Sequence, residues 1–250
     1  MRSETIKDVL ERKDIIIHLA GENIMAKRWT ENHKKNVRES RINSTRKLVN
    51  ELALVNNKPV LFISASAVGY YGNSENNVTE NSKPGNDFLA NLVCDWENEG
   101  KRVDQLGIRY TAVRIGIVLD VDGGALQRLL IPFKLFIGGT PGDGTQWVPW
   151  IHINDLISIF EYAVDTDKLK GPINGVSPNP VRMKDFTKLI GKVLHRPSYF
   201  KVPSFILRLI MGEAASVVLE GAKVIPQKLT DSGYEFKFAE LETALKDLLD

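Results

Sequence analysis

The feature that most constrains this chain is a run of apolar residues with no polar alternation, Asp14 to Ala20 (DIIIHLA), closed by Gly21. A strand with one wet face alternates apolar and polar side chains, whereas a run apolar throughout is covered on both faces, as in a parallel sheet sandwiched by helices. Two more such runs follow, Val60 to Ser64 after Pro59 and Tyr110 to Leu119 (YTAVRIGIVL). Between them lie stretches long enough for the helical crossover that parallel strands require. Thr30 is an N-cap for a helix reaching Leu54, with Val37, Leu48 and Leu52 on one side and Lys and Arg on the other; Asp87 to Leu106 is the second crossover helix. Residues 3 to 13 read as a preceding helix. The βα alternation holds three times, so the fold is α/β with a parallel sheet and flanking helices.

Further along come a helix around Ala125 to Phe136, a glycine- and proline-rich loop from Gly138 to Pro149, a helix from Asn154 to Val164 and a short strand from Pro172 to Val176. Beyond Pro178 the pattern changes to helices separated by Pro180, Pro197, Pro203 and Pro226. The expected organisation is a sheet-bearing unit over 1–176 and a small, mainly helical unit over 177–250.

Charge narrows the partners. Lys and Arg number 33 against 31 Asp and Glu, a net +2 with no block of like charges, so neither nucleic acid nor an anionic membrane is expected as the main partner. One cysteine makes no internal disulfide, MRSETIKDVLERKD is too charged for a secretory signal, and apolar runs such as Leu129 to Phe133 fall far short of the roughly 20 residues that span a bilayer. The expected setting is reducing and cytoplasmic, or the mitochondrial matrix if the natural start lies upstream. The four histidines, His18, His33, His152 and His195, have no paired spacing, so no metal site is expected.

Three stretches carry chemistry. His18-Leu19-Ala20-Gly21 stands at the carboxyl end of a parallel strand, where open α/β sheets bind ligands; it reads equally as a tight turn. Phe62 to Gly72 (FISASAVGYYG) runs from a strand into serines and two tyrosines. Here Ser64 and Ser66 offer hydroxyls to a substrate oxygen, and Tyr70 or Tyr71 transfers a proton if its pKa is lowered. The alternative is a turn with packed aromatics. Gly138 to Leu156 (GGTPGDGTQWVPWIHINDL) is no phosphate loop, since no Gly-Lys-Ser/Thr follows; Trp147, Pro149 and Trp150 are expected to stiffen a pocket wall.

In this order and at these intervals the stretches resemble the extended short-chain dehydrogenase/reductases. The closer resemblance is to an atypical branch, the epimerase family proteins, described as NADP-dependent oxidoreductases. LAGENI at 19–24, SR at 40–41, NLVCDWE at 91–97, GGTPGDGTQWVPWIHI at 138–153, GPINGVSPNPV at 171–181 and LEGAKVIPQKLTDSGYEF at 219–236 carry it. The last falls in a C-terminal domain of unassigned function. The resemblance implies a Rossmann-like NAD(P)-binding domain over 1–176, with its substrate loop at 138–153, and an oxidoreductase or epimerase-like activity on a small molecule. It places NADP(H) against the backbone of Leu19 and Ala20, the side chains of Asn36 and Arg41, and the strand end near Val118. Arg41 makes independent sense, because a guanidinium forks onto a phosphate or ribose hydroxyl as Lys does not; its alternative is a solvated place on a basic helix face. Asn36 and Arg41 stand about 140° apart around a helix of 3.6 residues per turn.

Two departures from that pattern matter. The Tyr-x-x-x-Lys pair of active relatives has no counterpart, because the helix that should carry it reads FLANLVCDWE over 88–97. Cys94 within it is expected to be a small buried hydrophobe. Nor do the 250 residues contain the G-x-x-G-x-x-G turn whose backbone N–H groups hold a pyrophosphate. NADPH binding weaker than submicromolar, or none, is therefore expected. Asp14 to Ala20 corresponds to the fourth strand of the fold, which leaves an apolar edge: either Met1 is an internal start, or the edge pairs with another copy as a homodimer. The rival readings are a non-catalytic cofactor-binding or interaction protein, and a sugar-nucleotide epimerase or dehydratase. His152 is expected to shape the pocket or bond the backbone, and Asp155 to cap a helix or touch a ligand.

Overall fold

The computed structural model describes residues 5–11 and 13–249, so residues 3, 4 and 12 of the expected helix 3–13 and the Met1 start lie outside the described residues. What is described of that helix is α1 (Ile6–Leu10), closed by a capping box in which Thr5 accepts from the Asp8 N–H and Asp8 accepts from the Thr5 N–H. The apolar run is strand only over β1 (Ile15–His18); Leu19, Ala20 and Gly21 leave the sheet and are exposed. Helix α2 (Glu31–Leu54) starts where its cap predicts, with the Thr30 hydroxyl accepting from the His33 N–H at 3.2 Å. Strand β2 (Leu61–Ala67) outruns the expected 60–64 by three residues, which draws Ser66 into the sheet with Ser64.

A 3₁₀ turn at Val68–Tyr71 leads to β3 (Ser74–Val78), and Asp87 then caps α3 (Phe88–Lys101). The rest of the expected helix 87–106 is a 3₁₀ turn over Arg102–Leu106. The expected strand 110–119 is two strands, β4 (Arg109–Ile115) and β5 (Ile117–Leu119). Gly116 divides them because a Cβ there would stand 2.4 Å from the Pro149 carbonyl oxygen, a contact only glycine permits. Next come α4 (Gly124–Lys134), β6 (Gly139–Pro141), β7 (Trp147–Val148), β8 (Trp150–His152), α5 (Ile153–Asp165) and β9 (Gly171–Gly175). The loop expected over 138–149 thus contains two short strands. The remainder is β10 (Val181–Arg182), α6 (Met183–Val193), β11 (Phe200–Val202), α7 (Ser204–Met211), α8 (Ser216–Leu219), β12 (Ala222–Val224), α9 (Gln227–Ser232) and α10 (Leu241–Leu249).

The main sheet is parallel throughout, in the order β1-β2-β4-β9. Its two-residue period sorts side chains between two cores: Phe62 packs with Val49, Leu52 and Tyr110 beneath α2, while Leu61 and Ile63 pack with Val113 and Ile159 beneath α5. This is a Rossmann-like α/β layer. The outer edge of β1 carries no strand among the described residues, and Ile17 there is 48% exposed. Residues 177–249 are laced onto this layer through short ribbons, β10 with β7, β11 with β6 and β12 with β3. A third core, built on Trp150, Phe133, Phe186 and Leu245, joins α4, α6 and α10.

Candidate active site

The carboxyl ends of β1, β2 and β4 open on the same side, and two environments meet there. The first is a crevice between the segment after β1 and helix α2. Leu19 and Ala20 present their backbone to solvent, and the Arg41 guanidinium lies beside Gly21, where a Cβ would come within 3.1 Å of Arg41 Cζ. Arg41 Nη1 donates to the Glu22 carbonyl at 2.8 Å and to the Val37 carbonyl at 3.2 Å, and the guanidinium stands 5.3 Å from the Trp96 ring centroid. No carboxylate pairs with it among the described residues, and burial pulls its pKa down, with Glu22 only partly opposing. A half-desolvated cation without a carboxylate partner suits an incoming phosphate or ribose hydroxyl. Asn36 is exposed on α2 and is not brought against Arg41. Val118, in β5 opposite Ile151, is half-buried against the α5 core.

The second environment is a polar seam sealed inside the protein. Ser66 donates to Glu97 Oε1 at 2.5 Å, and Arg114 grips both Glu97 oxygens at 2.8 Å through Nε and Nη2. Arg114 Nη1 also donates to the Tyr71 hydroxyl at 3.0 Å, and Tyr71 donates to Asn174 Oδ1 at 2.6 Å. Glu80 closes the chain by accepting from the Asn174 N–H at 3.0 Å. Ser64 is equally committed, sharing a 3.0 Å hydrogen bond with the Tyr110 hydroxyl. Burial lowers the pKa of Arg114, but the Glu97 pair outweighs it and the net shift is upward. Burial pushes the Tyr71 phenol up to about 12, and that of Tyr70 up as well, against the opposing field of Arg114. The lowered phenol pKa expected for proton transfer is thus absent at both tyrosines. Tyr70 is the least enclosed of the four candidates, half-buried with its ring 3.4 Å from the Arg114 guanidinium carbon.

None of Ser64, Ser66, Tyr70 and Tyr71 lines the neighbouring cleft, a cavity of about 370 Å³. Its floor is Val68, Gly69 and Gly72, one wall is Trp147, Val148 and Pro149, and α7 to α8 close the other with Arg208, Glu213 and Val217. Trp147 and Pro149 line a pocket wall, whereas Trp150 is fully buried and donates from Nε1 to the Asn179 carbonyl at 3.1 Å. Sequence reasoning missed the α7–α8 wall, because no periodicity says which distant segment folds over a strand end. Leu89, on the helix where a Tyr-x-x-x-Lys pair would stand, faces this cleft.

The remaining candidates are structural. His152 Nδ1 accepts from the Asn154 N–H at 3.1 Å and caps α5, its ring stacked 3.8 Å from that of Phe238. Asp155 neither caps that helix nor meets a cleft: it is buried and accepts from the Lys237 and Phe238 N–H groups at 2.9 Å each, which ties down the C-terminal segment. Cys94 is half-buried rather than buried, and burial raises its thiol pKa, so thiolate chemistry is disfavoured. Among the described residues no cluster of His, Cys, Asp or Glu is arranged to hold a metal, and no helix is long and apolar enough to cross a membrane.

Comparison with known proteins supplies a context for this geometry. Residues 202–248 match a family described as a domain of unknown function (DUF1731). The Arabidopsis thaliana protein named epimerase family protein SDR39U1 homolog, chloroplastic, is 41% identical over 249 residues, covering 97% of this chain and 70% of that protein. A crystal structure of human epimerase family protein SDR39U1 (isoform 2) with NADPH superposes with a TM-score of 0.91 at 35% identity, over 97% of this chain and 85% of that one. UDP-glucuronic acid 4-epimerase from Bacillus cereus, in complex with UDP-glucuronic acid and NAD, shares the fold at 19% identity, with a TM-score of 0.78 over 97% of this chain and 76% of that one.

Proposed function

Because this chain belongs to the epimerase family, an atypical branch of the extended short-chain dehydrogenase/reductases, we propose that it is an NADP-dependent oxidoreductase or epimerase-like protein acting on a small, largely apolar molecule. The observation that carries the reading is the half-desolvated Arg41 guanidinium, which has no carboxylate partner among the described residues, beside the exposed residues Leu19 to Gly21 at the end of a strand. A nicotinamide nucleotide, when bound, supplies the hydride chemistry. In this chain Arg41 holds a phosphate or ribose oxygen, the Leu19 and Ala20 backbone lets the nucleotide lie close, and Val118 and Asn36 border it. The cleft walls orient the substrate and exclude water. Ser64, Ser66 and Tyr71 set the shape of the strand end, and Tyr70 is the more exposed of its two phenols for any proton step. The setting that fits one half-buried thiol is a reducing one, cytoplasmic or organellar.

The cleft argues against a nucleoside diphosphate sugar. Its lining brings Asp87, Glu213 and Glu220 against Arg208 alone, and Glu213 is already paired with Lys34. A pyrophosphate needs clustered cations, and these carboxylates repel it. A non-catalytic cofactor-binding protein remains the second reading. It is favoured by the helix over 88–97, which offers neither phenol nor ammonium, and by the raised phenol pKa values of Tyr70 and Tyr71. Titrating NADPH into the purified full chain, and separately following NADPH oxidation with a panel of neutral ketones and aldehydes, separates the two. Binding weaker than roughly 1 µM (about −8 kcal/mol) is expected, with turnover of an apolar carbonyl. Binding without turnover of any member sinks the enzyme reading, and no binding at millimolar NADPH sinks both.

A further inference from the structure

The solvent face of α7 carries large apolar side chains that nothing covers among the described residues. Phe205, Leu209 and Ile210 stand out at 68%, 73% and 68% exposure, and the helix buries none of its own residues. Pairing of β11 with β6 brings Tyr199, 88% exposed, and Phe200 beside the turn after α4, where Leu135, Phe136 and Ile137 are exposed too. Arg196 closes the seam between the two stretches, its guanidinium 4.4 Å from the Phe136 ring centroid. Scattered exposed apolar residues are ordinary, but a contiguous field of this kind marks a contact surface.

Charge says what it contacts. Residues 128–138 and 195–211 hold Arg128, Lys134, Arg196, Lys201 and Arg208 and not one Asp or Glu. Subtracting these five cations from the chain's net +2 leaves the rest of the molecule at −3. Asp143, which lies within the field of Lys201, has its carboxylate taken up by the Thr145 N–H and hydroxyl, and Glu213 beyond the end of α7 is paired with Lys34. Phe136 (φ +62°) and His195 (φ +53°) are the non-glycine residues with left-handed backbone among the described residues, and each follows the C-terminus of a helix, where the Ile137 N–H donates to the Pro132 carbonyl and the Arg196 N–H to the Gly191 carbonyl.

We propose that this face seats the protein on an anionic lipid bilayer. The aromatic and aliphatic tips enter the headgroup boundary while Lys134, Arg196 and Lys201 beside them meet lipid phosphates, the arrangement of interfacial proteins that lie on a membrane without crossing it. A second copy is a poor occupant, since a symmetric contact sets one cationic face against another. The tips protrude from a helix and a tight turn rather than line a groove, which suits a deformable surface better than a folded partner. Arg208 on the same helix also lines the cleft, so the docked protein holds its cleft mouth close to the lipid. The near-neutral total charge hid this segregation from composition, and the proposal stands on the surface alone, independent of the reaction assigned above.

Cosedimentation of the full chain with vesicles tests it. Binding is expected to vesicles containing phosphatidylglycerol and not to phosphatidylcholine alone, and to fall several-fold as salt rises and the Debye length shrinks from roughly 10 Å towards 3 Å. Phe205→Ser with Leu209→Ser, and separately Lys134→Glu with Lys201→Glu, are each expected to weaken partitioning at least about tenfold with the melting midpoint unchanged, because these side chains are exposed. Equal binding to neutral and anionic vesicles overturns the proposal. So does absence of vesicle binding together with a dimer in sedimentation that the Phe205 pair abolishes, which assigns the face to a second copy. Capture of an acidic protein while vesicles stay free overturns it as well.

Discussion

Arg114 and Arg41 sit near the same end of the same sheet, yet only one of them is available. Arg114 is enclosed, clamped by Glu97 on one side and bonded to Tyr71 on the other, within a seam in which Ser66, Asn174 and Glu80 are also committed. Arg41 spends Nη1 on two backbone carbonyls and has no carboxylate partner among the described residues. Polar residues at a strand end thus serve the fold when their valences are filled from within, and serve a ligand when they are not. The seam and the crevice should therefore fail in opposite ways when mutated.

The largest effect is expected in the seam. Glu97→Ala leaves the Arg114 cation buried and unpaired, a loss of about 3–5 kcal/mol of stability. Urea titration measures it, and a loss under about 1 kcal/mol would mean that water reaches the seam and that the contrast with the crevice is false. Ser64→Ala strands the buried Tyr110 hydroxyl, and about 1–3 kcal/mol is expected from that desolvated group. NADPH affinity should not move in Ser64→Ala; if it drops with stability unchanged, Ser64 touches a ligand. Arg41→Ala should do the reverse. About tenfold in NADPH affinity, or roughly 1.4 kcal/mol, goes with the lost charged contact, while the urea midpoint shifts little. An unchanged affinity would return Arg41 to an ordinary place on the α2 surface.

That contrast was only half visible in the sequence. Strands β1, β2, β4 and β9 and helices α2, α3 and α5 are legible because continuous apolar runs, caps and crossover lengths are local signals. The break at Gly116 is not local: it depends on the Pro149 carbonyl 33 positions away, which is why 110–119 reads as one strand. The same limit hides the seam. Ser66 meets Glu97 31 residues on and Tyr71 meets Asn174 103 residues on, so a serine and a tyrosine that look like chemistry from their neighbours are satisfied from afar. The α7–α8 wall escaped for the same reason, since nothing in SFILRLIM says that it folds over the end of a distant strand.

The smallest expected effect separates a buried polar group from an available one by pH alone. His18, at the end of β1, shares its Nε2 with the Thr45 hydroxyl at 3.0 Å, and burial lowers its pKa below the ordinary histidine value. A base whose folded pKa is depressed is neutral in the native state while the unfolded chain still takes up a proton. Its contribution to stability is therefore complete above the unfolded value near 6.5 and is lost as pH falls from there towards the folded pKa, at no more than about 1.4 kcal/mol per pH unit for one group. His152, lowered by burial although Asp247 and Asp155 oppose it, acts in the same direction and window. His18→Gln keeps a side chain able to reach Thr45 without a proton to gain, so it should flatten part of the fall in melting midpoint between about pH 6.5 and 5. A profile that Gln leaves unchanged assigns the acid sensitivity to other groups and removes His18 from the set of residues whose desolvation shapes this strand end.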